Sequence, residues 1–333
     1  MKAKLEYIWP VIGLFAVVFS FWLLFKEVRA ISARDIVASL EAITATQYLL
    51  AALSTLVAYG ALAWYDRIAL LHLGVRHISW VFISLCSFTT YALSHNIGAS
   101  VFSGAMVRYR AYSSKGLSAA QVAVLVALCS FTFGLGTILL GGLVLTFEPE
   151  VMARLDDFLP AFLVNETTAR IIGLALLGFV ALYTIGSILG FKPLVIRTFR
   201  LAYPRFEIAG RQLFAAPLEL LGAAGIIYFA LPEAGNPGYF VVLAVFLASF
   251  SAALVSHAPG GLGVFELIFL KAMPDAPTAE VLAALLVFRL FYLIIPLAFG
   301  LVVVLAFERN RLAKALRENV GTGAPQPPAP PLT

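Results

Sequence analysis

Apolar residues along this 333-residue chain come in long unbroken runs, not at alternate positions. Runs of spanning length, on the order of 20 residues each, lie at about 8–25, 45–63, 119–146, 168–191, 212–231 and 279–307, and they predict six full transmembrane helices. Strands of a membrane barrel would be about ten residues long with alternating faces, so the predicted class is all-α integral membrane. Two further apolar stretches, 79–107 and 239–272, are interrupted by Ser94-His95-Asn96-Ile97-Gly98 and by Ser256-His257-Ala258-Pro259-Gly260-Gly261-Leu262-Gly263. Between the first two spans, Ile31, Ile36, Leu40 and Ile43 recur at helical spacing among Arg34, Asp35 and Glu41, which predicts a short helix lying in the membrane interface.

Composition removes the soluble alternative. Hydrophobic residues make up 61% of the chain and charged residues 12%, and the mean hydropathy is +0.95. A soluble globule needs roughly twice that share of charge, whereas lipid accepts apolar side chains and demands only that backbone groups be paired internally. Cys86 and Cys129 sit in apolar runs without metal-ligand spacing, so neither a disulfide framework nor a metal site is expected. Lys26, Glu27 and Arg29 follow the first apolar run where a small-residue cleavage site would stand, which predicts a retained helix and not a signal peptide. The Pro-rich end, 319–333, has nothing to bury and is expected to be a disordered cytoplasmic tail after a membrane domain over 1–318.

Charge sets the expected orientation. With both termini cytoplasmic, sixteen of the 23 basic residues fall on the cytoplasmic side, as the positive-inside rule asks. That count holds only if 79–107 and 239–272 each return to the side they entered from, so each is predicted to be a re-entrant broken hairpin. The two also repeat each other: SFTTYALSHNIG from Ser87 aligns with SFSAALVSHAPG from Ser249 at a constant offset of 162 residues, placing two of the four histidines, His95 and His257, at equivalent breaks. Because one hairpin enters from each side, the halves are expected to form an inverted repeat of the kind that builds transporters. A helix starting at Gly98 or Gly261 would aim its N-terminal amides at a phosphate or carboxylate near the midplane.

Ionisable side chains inside a membrane are costly and mark function by default; here they are His95, Glu219, His257, Glu266 and Arg289. Each histidine reads either as a core residue bonded to a carbonyl freed by the break or as part of a translocation route, with Asn96, Gly98, Pro259, Gly260, Gly261 and Gly263 shaping that route. Arg289 lies too deep to snorkel and needs a partner, Glu266 first and Glu219 second, as a structural ion pair or as a phosphate-holding group. Arg108, Arg110 and Lys115 read either as collectors of anionic lipid heads or as topology-setting charge. Trp64-Tyr65-Asp66-Arg67 to Leu73-Gly74 reads as a loop that could serve as an anchor. No phosphate-binding Gly-rich loop, catalytic triad or cofactor motif appears, so the expectation is a non-enzyme without cofactors and without a nucleic-acid partner.

Tyr65-Asp66 with Ala69-Leu70 and Leu73-Gly74, Ser94 to Gly98, Arg108-Tyr109-Arg110, and above all Pro259-Gly260-Gly261-Leu262-Gly263-Val264-Phe265-Glu266 resemble the transmembrane region of the lysylphosphatidylglycerol synthetase family. Full-length members carry that region as a lipid flippase ahead of further helices and a soluble aminoacyl-transferase domain, whereas this chain is expected to be a stand-alone member carrying the flippase-like part. The resemblance implies translocation of a phospholipid, anionic or aminoacylated, or of another lipid head group across the inner membrane by alternating access. It leaves two alternatives: a membrane component working with a separate lipid-modifying enzyme, and a small-solute or ion transporter.

Overall fold

The computed structural model describes residues 32–97, 100–191, 194–196, 199–201, 203–256 and 259–321. The expected first span at 8–25 and the tail from 322 lie outside them. Helix α1 (Ala33–Ala42) is the expected short amphipathic helix, begun by a reciprocal cap in which Ser32 and Asp35 each bond the other's backbone N–H. The same device starts α2 (Ala45–His72) through Thr44 and Gln47 and α5 (Ala119–Phe147) through Ser118 and Gln121. Between these two lie α3 (Trp80–Ile97) and α4 (Ser100–Ser113). Asn165 caps α6 (Glu166–Leu189), which Gly190 ends in a left-handed conformation. A short antiparallel pair, β1 (Leu194–Ile196) with β2 (Phe199–Leu201), leads to α7 (Phe206–Ala230). Then come α8 (Tyr239–Ser256), α9 (Val264–Ala272), α10 (Thr278–Phe288), a π-helical stretch (Arg289–Ile294) and α11 (Ile295–Gly321).

Among the described residues, six helical segments are long and apolar enough to cross a membrane: α2, α5, α6, α7, α8, and α10 through α11 as far as Phe307. The chain is an all-α integral membrane protein. Five of the six coincide with expected spans; the sixth, α8, is the first arm of the second interrupted stretch. Helix α2 runs nine residues past the expected end at 63, so the segment read as a loop after Trp64 is helix as far as His72. Helix α11 likewise continues to Gly321, past the boundary expected at 318.

Both interrupted stretches fold back on themselves. Helix α3 packs on α4, and α8 on α9. The α3–α4 pair opens toward the end of the bundle where His77 meets the Lys115 carbonyl at 3.2 Å. The α8–α9 pair opens toward the other end, where Gln47 donates to the Leu231 carbonyl and Arg154 pairs with Asp275 at 2.7 Å. The 162-residue offset carries α2 onto α7, α3 onto α8, α4 onto α9 and α5 onto α10–α11, so elements of matching order recur in both halves.

Without a hydrophobic drive between helices in lipid, close packing of small residues holds such bundles together. The equivalent helices α2 and α7 cross where Gly222 faces Ser54 and Ala58, and α5 meets α7 where Gly136 faces Ala216. Ile171, Leu174, Leu182, Ile185 and Leu189 form an exposed apolar stripe on α6, suited to contact with lipid. A Cβ at Gly222 would stand 2.8 Å from the Ala58 amide nitrogen and from the Ser54 carbonyl oxygen, backbone atoms that cannot turn aside. Gly222→Val is therefore expected to push α2 and α7 apart and cost about 1–3 kcal/mol, read as a lower unfolding temperature of the purified protein in detergent; an unchanged temperature would show that the crossing is loose.

Candidate functional site

The second break is made by glycines in conformations that other residues resist. Gly260, Gly261 and Gly263 have φ of 59°, 67° and 81°, and a side chain at any of them would be strained. The turn Pro259–Gly261 delivers the chain to α9. One amide at this helix start is already taken. The Glu266 carboxylate folds back and accepts from the Gly263 amide at 2.8 Å, neutralising the helix end with a side chain of its own helix.

Glu266 is also the partner of Arg289. The guanidinium bonds the other carboxylate oxygen and, through Nη1, the Gly260 carbonyl at 3.0 Å. One arginine thus ties the break to the helix after it, with a planar fork suited to two acceptors. Glu219, the second choice of partner, is elsewhere: its Oε1 accepts from the Tyr292 hydroxyl at 2.6 Å, and Oε2 has no hydrogen-bond partner among the described residues.

Arg289 opens the π-helical stretch, and its cause lies further on. Pro296 has no amide hydrogen for the Tyr292 carbonyl one turn before it. The Tyr59 hydroxyl from α2 takes that carbonyl at 2.9 Å. Asn96, at the end of α3, donates to the neighbouring Leu293 carbonyl at 3.1 Å and to the Ala92 carbonyl at 2.7 Å. A local departure from α geometry of this kind is common at functional sites. Here it provides the acceptors that dock the first break onto the second half.

The two breaks meet. The turn Pro259–Gly261 packs against α3, and the His95 carbonyl lies 3.8 Å from the position of a Cβ on Gly260. The His95 ring stacks on Tyr292 at 5.2 Å and approaches Phe250 of α8 edge-on at 6.4 Å. Its Nδ1 is buried without a hydrogen-bond partner among the described residues. His257 and Gly98 lie outside those residues, and Pro259 is placed by its backbone alone.

A second buried ion pair joins α2 to α4. Asp66 is fully buried and accepts from Arg108 through Nη2 at 2.7 Å and Nε at 3.2 Å, and from the Tyr112 hydroxyl at 2.8 Å. The Cys129 thiol approaches the same carboxylate at 3.4 Å. Arg108 lies 4.8 Å over the Tyr91 ring, which in turn touches His95 at 5.5 Å. This corrects two expectations: Arg108 is a core residue and not a surface collector of lipid heads, and Asp66 belongs to the core and not to an anchoring loop. Arg110, two residues on, is exposed. Of the aromatic residues that connect these groups, Tyr112 stands out in the sequence only as an aromatic interleaved with the basic residues 108–115, and Tyr59, Tyr91 and Tyr292 do not stand out at all. Pro296 four residues after Tyr292 was the one available signal, since it strands that carbonyl.

No protein-family model matches the chain. An uncharacterized protein of Synechocystis is 29% identical over 327 residues, covering 96% of this chain and 98% of its own length. The phosphatidylglycerol lysyltransferase of Staphylococcus haemolyticus is 32% identical over 87 residues, which is 25% of this chain and 10% of that enzyme. Inner membrane protein YbhN of Escherichia coli is 31% identical over 264 residues, covering 78% of this chain and 79% of its own. The chain accordingly belongs to the family of inner membrane protein YbhN.

Proposed function

We propose that this protein moves a phospholipid head group across the inner membrane, with both termini cytoplasmic, the lipid tails staying in the bilayer and the head group passing between the two breaks. The observation that carries the reading is the meeting of two broken hairpins, opening toward opposite ends of the bundle, at a cluster of ionisable groups that a purely structural core would not need. Recurrence of the elements at a 162-residue offset supports an inverted repeat, and alternating access follows if one half rocks against the other. Arg289, once released from Glu266, offers a fork for a phosphate. His95, whose buried Nδ1 has no hydrogen-bond partner among the described residues, lines the same passage.

The partial match to the lysyltransferase favours a second reading, in which the chain is the membrane component of a lipid-modifying system whose enzyme is a separate protein. Proteoliposomes with head-group-labelled lipids separate the two. The first reading expects the purified protein to move lipid between leaflets unaided, and Arg289→Ala and His95→Ala to slow it at least about tenfold, a barrier increase of roughly 1.4 kcal/mol. If the folded wild type moves no lipid, with or without a proton gradient, translocation is the wrong reading.

A further inference from the structure

Of the three buried carboxylates among the described residues, two are matched by arginines: Asp66 by Arg108 and Glu266 by Arg289. Glu219, 1% exposed, is not. One oxygen has a single phenol donor, Tyr292, and the other has none among the described residues. The groups facing it from the elements packed on α7 are phenols as well, Tyr59 and Tyr65 on α2 and Tyr292 on the π stretch. Helices α5 and α8 contain no charged side chain, α10 only Glu280 in its first turn, and α6 only Glu166 and Arg170 near its start. On α7 itself the other charges are Glu207 and exposed Arg211, two turns or more away. An anion here would be a buried charge without a counter-ion, whereas the neutral acid leaves only one hydroxyl unpaired, which costs far less.

Resting on the translocation reading, we propose that Glu219 carries the proton that couples this protein to the proton gradient. In the conformation described, Glu219 is the neutral acid. When the breaks part toward one face, water reaches the carboxyl, its O–H bond gives the proton to that face, and the carboxylate forms. Opening toward the other face returns a proton from there and regenerates the acid. His95 marks the route, because its ring lies on Tyr292, the donor to Glu219, while its backbone touches the second break. Separating the breaks therefore uncovers the path to Glu219 and the head-group passage together.

Two measurements on the full-length protein test this. Infrared difference spectra in nanodiscs, between neutral and alkaline pH, are expected to show the C=O band of a neutral carboxylic acid at neutral pH. The band should vanish in Glu219→Gln and persist in Glu266→Gln. A wild type without it, or a band kept by Glu219→Gln, overturns the proposal whether or not lipid moves. In proteoliposomes under an imposed pH difference, the wild type should drive labelled lipid to an unequal leaflet ratio, with a limit of about tenfold per pH unit at one proton per lipid. Glu219→Gln, which keeps the Tyr292 bond, should only equalise the leaflets. A variant still driven by the gradient, or a wild type that moves lipid but ignores it, overturns the coupling while leaving translocation standing. A wild type that moves no lipid overturns both, even if the infrared band is present.

Discussion

Asp66→Ala is expected to be the most destabilising single substitution in the bundle, at about 3–5 kcal/mol, because it leaves a buried guanidinium without its counter-charge. The cost is not that of one contact. Asp66 is the shared acceptor for Arg108, Tyr112 and the Cys129 thiol, and these come from α4 and α5 onto α2, so removing it unpins three helices at once. Arg108→Ala should cost nearly as much, since it strands the anion instead. Asp66→Asn keeps the shape and one acceptor oxygen and should fall between wild type and Asp66→Ala. Replacing both charges with apolar residues of similar size, Asp66→Leu with Arg108→Met, should recover much of the loss, because neither charge is then stranded. Unfolding of the purified variants in detergent, followed by tryptophan fluorescence, reads this order. Single variants within about 1 kcal/mol of wild type would mean that water reaches the pair.

That ion pair is also where reading the sequence fell furthest short. Hydropathy located the long helices because membrane length and apolarity are local properties. It ended α2 at 63 only because Tyr65, Asp66 and Arg67 look like the polar edge of a span. Nothing local says that Asp66 is wholly covered; that follows from α4 folding back across α2 and bringing Arg108 in from 42 residues away. Similarly, Arg108, Arg110 and Lys115 look like one basic cluster along the chain, yet helical spacing turns Arg108 inward and leaves Arg110 outside. The breaks were legible for a different reason. His95 and the glycines around 260 interrupt otherwise apolar runs, and a polar interruption in lipid must be covered by something. That Arg289 needs a counter-charge could be reasoned from depth alone, since a guanidinium so far inside a span is costly unpaired, but depth left Glu266 and Glu219 both open. That the Glu266 carboxylate would also close the start of α9 could not be reasoned so, because it depends on the left-handed turn at Gly260, Gly261 and Gly263.

The Arg289–Glu266 pair should separate stability from transport in a way that the Asp66–Arg108 pair does not. Glu266→Ala removes the acceptor for Arg289 and the cap on the Gly263 amide together, so both folding and lipid movement should suffer. Arg289→Lys keeps the charge but not the fork: an ammonium can stay with Glu266 but cannot hold Glu266 and the Gly260 carbonyl in one plane. It is expected to cost about 1.5–3 kcal/mol of stability, the worth of the lost bond to the Gly260 carbonyl, yet to move lipid at least about tenfold more slowly. The decisive variant removes both charges, Arg289→Met with Glu266→Gln. The introduced amide retains an oxygen for the Gly263 N–H, no charge is left stranded, and the unfolding temperature should return most of the way to that of the wild type. A pair that served only the fold would then bring transport back with stability. If Arg289 is the group that takes over a phosphate as the breaks part, the double variant folds and still fails to move lipid, and that dissociation, measured in the same proteoliposomes, distinguishes a working ion pair from a structural one.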